Sequence, residues 1–348
     1  MNKFLIFLSA LFFLTTSSLT SQNDNRKTLE ILFNDWREFE KPSLLNGAPD
    51  YTSESFNNRI PEFRELRERL NEIDKSILDT QSKVDWTLIW AEMNGFEFNF
   101  RVLKPWERDP AYYKSVWMNR SDVPAHEGPT HHNVIEIWQY SFPLTENDSK
   151  KLISELKIIP PLNEQAKLNL IGNAKDLWIT GIRDIDVQID NLESIKSFKE
   201  VGENIILVNT INDAIESTKN LSLWLKNESS KKTGPSGIGK ENYTWYQNNV
   251  HLVPLSWDDE VMLLKRELSR AWASLKLEEH KNRNLPKLNP ASSSEEYNRL
   301  TSQASTDLID FLAEEDIIDV KDFYKEVLDE HLGSFVEEEK RNFFWITA

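Results

Sequence analysis

The glycine-rich stretch at residues 233–246 carries side chains that could contact a ligand. It runs Thr-Gly-Pro-Ser-Gly-Ile-Gly-Lys-Glu-Asn-Tyr-Thr-Trp-Tyr. Gly234, Gly239 and Lys240 match part of a phosphate-binding loop, but the next position must carry a hydroxyl for magnesium and is Glu241. The residues before the stretch also resemble a polar helix end, whereas a phosphate-binding loop follows a buried strand. The stretch is therefore not a nucleotide-binding loop.

The same stretch has groups that suit a peptide. Its glycines would let a ligand approach the backbone closely. Lys240 could pair with a carboxylate, Glu241 could accept from an amine, and the aromatic rings could line a pocket. The candidate substrate-binding residues are Gly237, Gly239, Lys240, Glu241, Tyr243, Trp245, Tyr246 and His251. The alternative is an inter-helix turn that packs Trp245 into the core, and the sequence leaves both interpretations open.

A second candidate is the histidine-rich segment His126-Glu127-Gly128-Pro129-Thr130-His131-His132. Three imidazoles and a carboxylate could hold zinc. The helical zinc motif, however, needs His-Glu-x-x-His, and here the fifth position is Thr130. Gly128-Pro129 would also break a helix. The sequence leaves open a zinc site built from a loop, but it favours a surface loop with polar side chains, so no catalytic residue and no metal ligand is assigned in this chain.

Several motifs resemble those of a known family. They are Ser236 to Tyr246 followed by Val250-His251-Leu252-Val253-Pro254, Trp90 to Asn99, Lys104 to Tyr112, Asp176-Leu177-Trp178 and Leu277 to Arg283. Together they resemble the N-terminal portion of the bacterial domain-of-unknown-function family 885, over residues 30–348. The resemblance implies kinship with zincin-type zinc peptidases whose His-Glu metal motif lies in a later, C-terminal part. We therefore expect no cofactor in this chain, and zinc only in a longer full-length form.

Composition excludes several classes of protein. The chain has 348 residues, a formal net charge of -16 and 39% hydrophobic residues, with twelve tryptophans. Such an acidic chain, without a long basic run, is not expected to bind nucleic acid. It contains no cysteine, which excludes disulfides, thiolate metal sites and a lipid-attachment cysteine. The apolar content is sufficient for a substantial core.

The N-terminus predicts export. Lys3 precedes an apolar run from Phe4 to Leu14, and small and hydroxyl residues follow. This pattern is typical of a cleaved signal peptide, assigned to residues 1–21. The apolar run is shorter than the roughly 20 residues that span a bilayer. We therefore expect a periplasmic or secreted protein with no stable membrane insertion after cleavage.

Apolar spacing predicts a mainly helical, all-α domain over residues 22–348, with long loops and at most a short β element. Three stripes carry the prediction: Phe63, Leu66, Leu70, Ile73 and Ile77; Trp178, Ile182, Ile185, Ile189, Leu192 and Ile195; Val261, Leu264, Leu268, Trp272 and Leu275. Pro61 is expected in the first turn of its helix. Residues 104–145 are predicted to form an irregular loop with a short strand near Val134–Trp138. Residues 281–294 are predicted to be a linker and a candidate sub-boundary.

Residues 341–348, Arg-Asn-Phe-Phe-Trp-Ile-Thr-Ala, end the sequence in apolar side chains. Either this segment docks on the fold, or the chain is a fragment whose aromatic residues pack against further sequence. The family resemblance favours the fragment. We accordingly expect an exported protein that resembles the N-terminal portion of a zincin-like peptidase and is inactive alone, because it lacks His-Glu-x-x-His. The alternative is a stand-alone exported protein that binds a peptide or a glycan.

Overall fold

Helices form most of the chain that the computed structural model describes, which comprises residues 26–119, 134–286 and 289–337. Within these ranges the β structure consists of two sheets of two short strands each. The prediction of a mainly helical fold is confirmed. The predicted signal peptide at 1–21, the segment His126–His132 and the residues 341–348 lie outside the described residues.

The chain divides into two compact units between Lys265 and Arg266. The division falls inside one long helix, upstream of the linker predicted at 281–294. No helix among the described residues is both long enough and apolar enough to cross a membrane. The sub-boundary at 281–294 remains a prediction.

The first described elements are a helix, a β-hairpin and two further helices. The elements are helix α1 over 26–40, strands β1 Leu44–Leu45 and β2 Ala48–Pro49, and helices α2 Ser53–Glu72 and α3 Thr80–Phe98. Asn46 and Gly47 both have positive φ, of 54° and 84°, which suits the two-residue turn of an antiparallel hairpin. The hairpin therefore reverses the chain between α1 and α2.

Helix α2 begins earlier than expected. The prediction that Pro61 lies in the first turn was wrong, since the helix starts at Ser53 and Pro61 lies inside it. The side chain of Thr52 caps the helix by accepting from the backbone N–H of Ser55. The ring of Phe56 is buried at the first turn, and the helix continues through Pro61. The predicted stripe ends with the helix, and Ile77 is exposed.

A region of short elements follows α3. Its elements are helix α4 Pro105–Arg108, strands β3 Val116–Trp117 and β4 Ile135–Glu136, and helices α5 Glu146–Leu156 and α6 Ile159–Asn169. The two strands pair in parallel. The strand predicted near Val134–Trp138 is confirmed as β4. The Asp109 carboxylate caps the turn at Pro110–Tyr113 by accepting from the N–H of Ala111.

Two long antiparallel helices form the centre of the first unit, α7 Lys175–Ile195 and α8 Ile205–Ser229. The predicted stripe of α7 is confirmed, with Trp178, Ile185 and Leu192 fully buried. Gln188 is buried on the same helix, and its side-chain oxygen accepts from the backbone N–H groups of Ser115 and Val116. The bonds satisfy strand β3, so the polar side chain is part of the core.

Helix α9 Lys240–Asn249 belongs to the first unit, and α10 Trp257–Lys281, within which the two units divide, follows it. The helix predicted from the third stripe is confirmed as α10. Its apolar side chains are nevertheless exposed, by 67% for Leu264, 59% for Leu268 and 55% for Trp272. Periodicity predicts a helix, but by itself it does not show that the apolar face is covered.

The second unit contains helices α11 Ser294–Glu314 and α12 Tyr324–Glu330. Ser293 caps α11 by accepting from the N–H of Glu296. The two helices are joined by a hydrogen bond of 2.8 Å from the Ser305 hydroxyl to the Asp329 carboxylate. The predicted linker falls between the end of α10 at Lys281 and the start of α11 at Ser294.

Candidate functional site

Residues 233–239 of the glycine-rich stretch lie in the loop between α8 and α9, and its remaining residues lie in α9. Gly239 has φ 84° and ψ 156°, a conformation that is essentially restricted to glycine, and α9 begins at the next residue. Gly237 is exposed, and a Cβ atom added there would meet no atom within 4 Å. Gly239 is therefore required by the backbone, whereas Gly237 has no such requirement.

The first half of the loop caps another helix. The Ser236 hydroxyl accepts from the backbone N–H groups of Asp176 at 2.8 Å and Leu177 at 3.1 Å. The carbonyl of Gly234 accepts from the N–H of Lys175. A Cβ atom on Gly234 would lie 2.4 Å from the carbonyl oxygen of Asn173, so the close approach excludes a side chain. The loop thus satisfies three N–H groups that the start of α7 leaves open.

Two of the predicted aromatic residues pack α9 against α3. The ring of Trp245 stacks on Phe98 with centroids 5.5 Å apart and 8° between the planes. Tyr246 contacts the same ring at 4.8 Å, and the guanidinium of Arg101 lies 5.2 Å from the centre of the Trp245 ring. Both aromatic residues are half-buried. The structure gives them a packing role, and their predicted contact with a substrate remains a prediction.

The opposite side of α9 is polar and faces the start of α10. Lys240 forms an ion pair of 3.0 Å with Asp258. The hydroxyl of Tyr243 donates to the Glu260 carboxylate at 2.5 Å, a bond that raises the pKa of the tyrosine. Glu241 is exposed. The structure therefore brings Lys240 and Tyr243 to one surface, with two carboxylates that were not among the predicted residues.

His251 follows the end of α9 and joins this polar surface. Its Nδ1 atom lies 3.1 Å from the side-chain oxygen of Gln247, whose nitrogen donates to the Tyr243 hydroxyl at 2.9 Å. The imidazole packs edge-on against Tyr246, with centroids 4.8 Å apart. Gln247 and Glu260 were missed by the sequence prediction. The i, i+4 spacing of Tyr243, Gln247 and His251 along the helix is the signal that points to Gln247.

A separate groove lies between α1, the β1–β2 hairpin and α2. Its volume is about 840 Å³, and its floor includes the buried side chains Phe39 and Leu66. Charged groups line the walls. The carboxylates are Asp35, Glu38, Asp50, Glu54, Glu62 and Glu65, and the basic side chains are Lys41, Arg59 and Arg69. The lining thus has an excess of three negative charges.

Part of this charge is neutralised within the groove. Asp35 pairs with Arg69, and Glu38 pairs with Lys41, each at 2.6 Å. Asp50 instead accepts from the hydroxyl and the N–H of Thr52, which holds the chain at the start of α2. These contacts fix the walls of the groove. They do not involve the other three acids of the lining, Glu54, Glu62 and Glu65, which all belong to α2.

Those remaining acids form a row along α2. Glu54, Glu62 and Glu65 are exposed, and the negative charge of Glu62 acts on the guanidinium of Arg59. Arg59 lies in the same row, with its guanidinium 4.6 Å from the centre of the Phe39 ring, and burial lowers its pKa. Arg59, Glu62 and Glu65 follow one another at spacings of three residues, which places them on one helix face, and Glu54 lies five residues before Arg59. That spacing was available in the sequence, but the groove depends on the hairpin.

Neither site provides a metal centre. Within residues 26–119, 134–286 and 289–337, no three His, Asp or Glu side chains come together in a group that could hold a metal ion. The described residues therefore do not fit the zinc of a zincin-type peptidase, and no chemical step is assigned to a metal here.

Comparison with known proteins shows the fold alone. No protein-family model matches the chain, and no curated protein matches it. Its helical fold is similar to a solved structure described as "a putative lipoprotein of unknown function" from Shewanella oneidensis, with a TM-score of 0.50 and 14% sequence identity. The similarity covers 86% of this chain and 58% of that one, so the chain matches little more than half of the lipoprotein's length.

Proposed function

We propose that this chain is an exported peptide-binding protein that holds basic peptides in the groove between α1 and α2. The observation that carries the proposal is the set of exposed acids on α2 above the buried side chains of Phe39 and Leu66. Glu54, Glu62 and Glu65 supply negative charge, and the largely buried Phe39 and Leu66 lie beneath them. A peptide with lysine or arginine side chains offers ammonium or guanidinium groups together with long methylene stems.

The size and openness of the groove suit a short peptide segment. Ligand sites commonly enclose about 300–1,000 Å³, and the volume of about 840 Å³ lies in that range. An exposed ion pair contributes only about 0.2–1 kcal/mol, so one contact would give weak binding. Several acids in a row, each close to a basic side chain of the same peptide, would add to the burial of its stems against the floor.

Export is the second part of the proposal. It is supported by the predicted signal peptide at residues 1–21 and by the similarity to a chain described as a lipoprotein. Lipid attachment is not carried over to this chain, because its sequence contains no cysteine. We place the protein in the periplasm or outside the cell.

The relation to zincin-like peptidases belongs to the same proposal. Peptide binding is compatible with both interpretations of the sequence, a portion of such a peptidase and a stand-alone protein that binds a peptide or a glycan. In either case the groove would hold the peptide, and the described residues supply no zinc site. We accordingly expect the purified chain to bind peptides without cleaving them.

The proposal is tested by calorimetric titration of the purified chain with three ligands. These are a lysine-rich peptide, a glutamate-rich peptide of the same length and a neutral oligosaccharide. We expect the lysine-rich peptide alone to bind, with an affinity that falls as salt is added, because salt screens exposed charges. Binding of the acidic peptide with equal affinity, binding of the oligosaccharide alone, or no binding at millimolar ligand would overturn the proposal.

A further inference from the structure

A chain of four hydrogen-bonded side chains runs from α10 across α9 to an exposed imidazole. The Tyr243 hydroxyl lies 2.5 Å from the Glu260 carboxylate, and the Gln247 nitrogen lies 2.9 Å from the same hydroxyl. The Gln247 oxygen lies 3.1 Å from Nδ1 of His251. All four residues belong to the first unit. This hydrogen-bonded series begins at the carboxylate of Glu260, which when ionised can only accept a hydrogen bond. It ends at the imidazole of His251, whose nitrogen atoms can donate or accept one.

The donor and the acceptor of every hydrogen bond in this series follow from the carboxylate of Glu260. An ionised carboxylate has no proton, so the Tyr243 hydroxyl must donate to Glu260. The tyrosine oxygen then accepts, and its partner must be the NH₂ group of Gln247. The amide is thereby oriented with its oxygen toward His251. An amide oxygen cannot donate, so Nδ1 of His251 must carry the proton.

We propose that Glu260, Tyr243 and Gln247 hold His251 in the Nδ1–H tautomer, so that its Nε2 lone pair is a fixed acceptor for a ligand N–H or O–H group. A peptide amide has the N–H that this atom would accept. His251 is the ligand-contacting residue of this site, and the other three are positioning residues that act through it. Nothing in the groove between α1 and α2 takes part, so this site is independent of the groove.

The orientation of the imidazole is fixed as well as its tautomer. The backbone N–H of His251 donates to the carbonyl of Tyr246, which anchors the residue at the end of α9. The ring of Tyr246 packs against the imidazole, with 73° between the planes. Tyr246 is in turn packed on Phe98 of α3. The acceptor atom is therefore held against a part of the fold that is itself buried, and His251 remains exposed.

The carboxylate of Glu260 is the critical group, because it sets the direction in which each hydrogen bond of the series is donated. Glu260→Gln keeps the shape and the hydrogen-bonding reach of the side chain, but a glutamine can also donate. Every hydrogen bond of the series can then be donated in the opposite direction, so that the Gln247 amide donates to an unprotonated Nδ1 of His251. A role in packing alone would be preserved by this variant, whereas the fixed tautomer would be lost.

The test is nuclear magnetic resonance of the full chain with ¹⁵N-labelled histidine, at a pH where the imidazoles are neutral. His251→Gln identifies the resonance of His251. We expect a protonated Nδ1 and an unprotonated Nε2 in the native protein. In Glu260→Gln and in Tyr243→Phe, we expect the two tautomers to be present in comparable amounts.

Asp258→Asn is the matched control. It removes one carboxylate from the same first turn of α10, but Asp258 pairs with Lys240 and lies outside the chain. This variant should leave the His251 tautomer unchanged. A native protein with the proton on Nε2, with averaged tautomers, or with the same spectrum as Glu260→Gln would overturn the proposal. These spectra need no ligand, so they can succeed or fail independently of peptide binding in the groove.

Discussion

The hydroxyl of Ser236 lies 2.8 Å from the backbone nitrogen of Asp176, 60 residues earlier, so a loop residue caps the first turn of α7. The same oxygen also accepts from the N–H of Leu177. The first half of the glycine-rich loop, which was predicted to contact a ligand, thus caps the start of α7. Its second half, from Gly239, starts the helix that carries the polar surface.

Removing this cap should destabilise the first unit. Ser236→Ala leaves two N–H groups at the start of α7 without their acceptor, and loss of a serine cap costs about 1 kcal/mol. Urea denaturation followed by tryptophan fluorescence measures the change. Ser230→Ala is the matched control, since Ser230 is exposed and its hydroxyl has no hydrogen-bond partner among the described residues. Equal stability of the two variants would contradict the capping role.

The two glycines of the predicted site should respond differently to alanine. Gly239→Ala forces a side chain into the φ 84°, ψ 156° region and should cost roughly 1–3 kcal/mol. Gly237→Ala introduces a methyl group that meets no atom within 4 Å, so its free energy of unfolding should change little. Thermal unfolding of both variants makes the comparison. If Gly237→Ala is the more damaging of the two, the assignment of the backbone requirement to Gly239 is wrong.

Asp109 should make the first unit less stable as the pH rises. Burial raises the pKa of its carboxyl to about 6 from 3.8, and nearby Asp184 acts in the same direction. Between these values the folded chain binds the proton more tightly than the unfolded chain. The free energy of unfolding therefore decreases as the pH rises from about 4 to about 6, and the loss is complete above that range.

Asp109→Asn should remove this loss. The amide oxygen can still accept from Ala111, so the turn keeps its cap. We expect the variant to be more stable than the native chain at pH 7, by on the order of 2 kcal/mol, and similar to it below pH 4. Urea titrations at the two pH values measure the difference. Asp213→Asn, at an exposed position on α8, serves as control and should show no such pH dependence. A less stable Asp109→Asn protein at pH 7 would refute the assignment.

The helical architecture could be predicted from the sequence because apolar spacing is a local property. The stripe from Trp178 to Ile195 coincides with α7, and the one from Val261 to Leu275 lies within α10. The start of α2 was misplaced because Pro61 was taken as a boundary. A capping hydroxyl at Thr52 and a buried ring at Phe56 determine the start, and the helix accommodates the proline.

The candidate sites depend on contacts that sequence spacing does not reveal. Lys240 and Tyr243 were predicted as contact residues, but their partners Asp258 and Glu260 lie on another helix. The groove exists because the hairpin brings α1 beside α2, and no local pattern shows this. The resemblance to the domain-of-unknown-function family 885 remains a prediction, since no family model matches the chain.

The most direct test of the proposed function compares two charge variants of the same helix. Glu62→Gln with Glu65→Gln removes two exposed acids from the groove, whereas Glu68→Gln with Glu72→Gln removes two exposed acids of α2 that do not line it. Both double variants carry the same net charge. Any difference between them in peptide affinity therefore comes from the position of the charges.

The measurement is the dissociation constant of the lysine-rich peptide for the native chain and both double variants at low salt. We predict that the groove variant binds roughly threefold to thirtyfold more weakly, as expected for two exposed ion pairs of up to about 1 kcal/mol each. The control variant should bind almost as tightly as the native chain. Equal affinities for the two variants would show that the peptide does not occupy the groove, and would contradict the account.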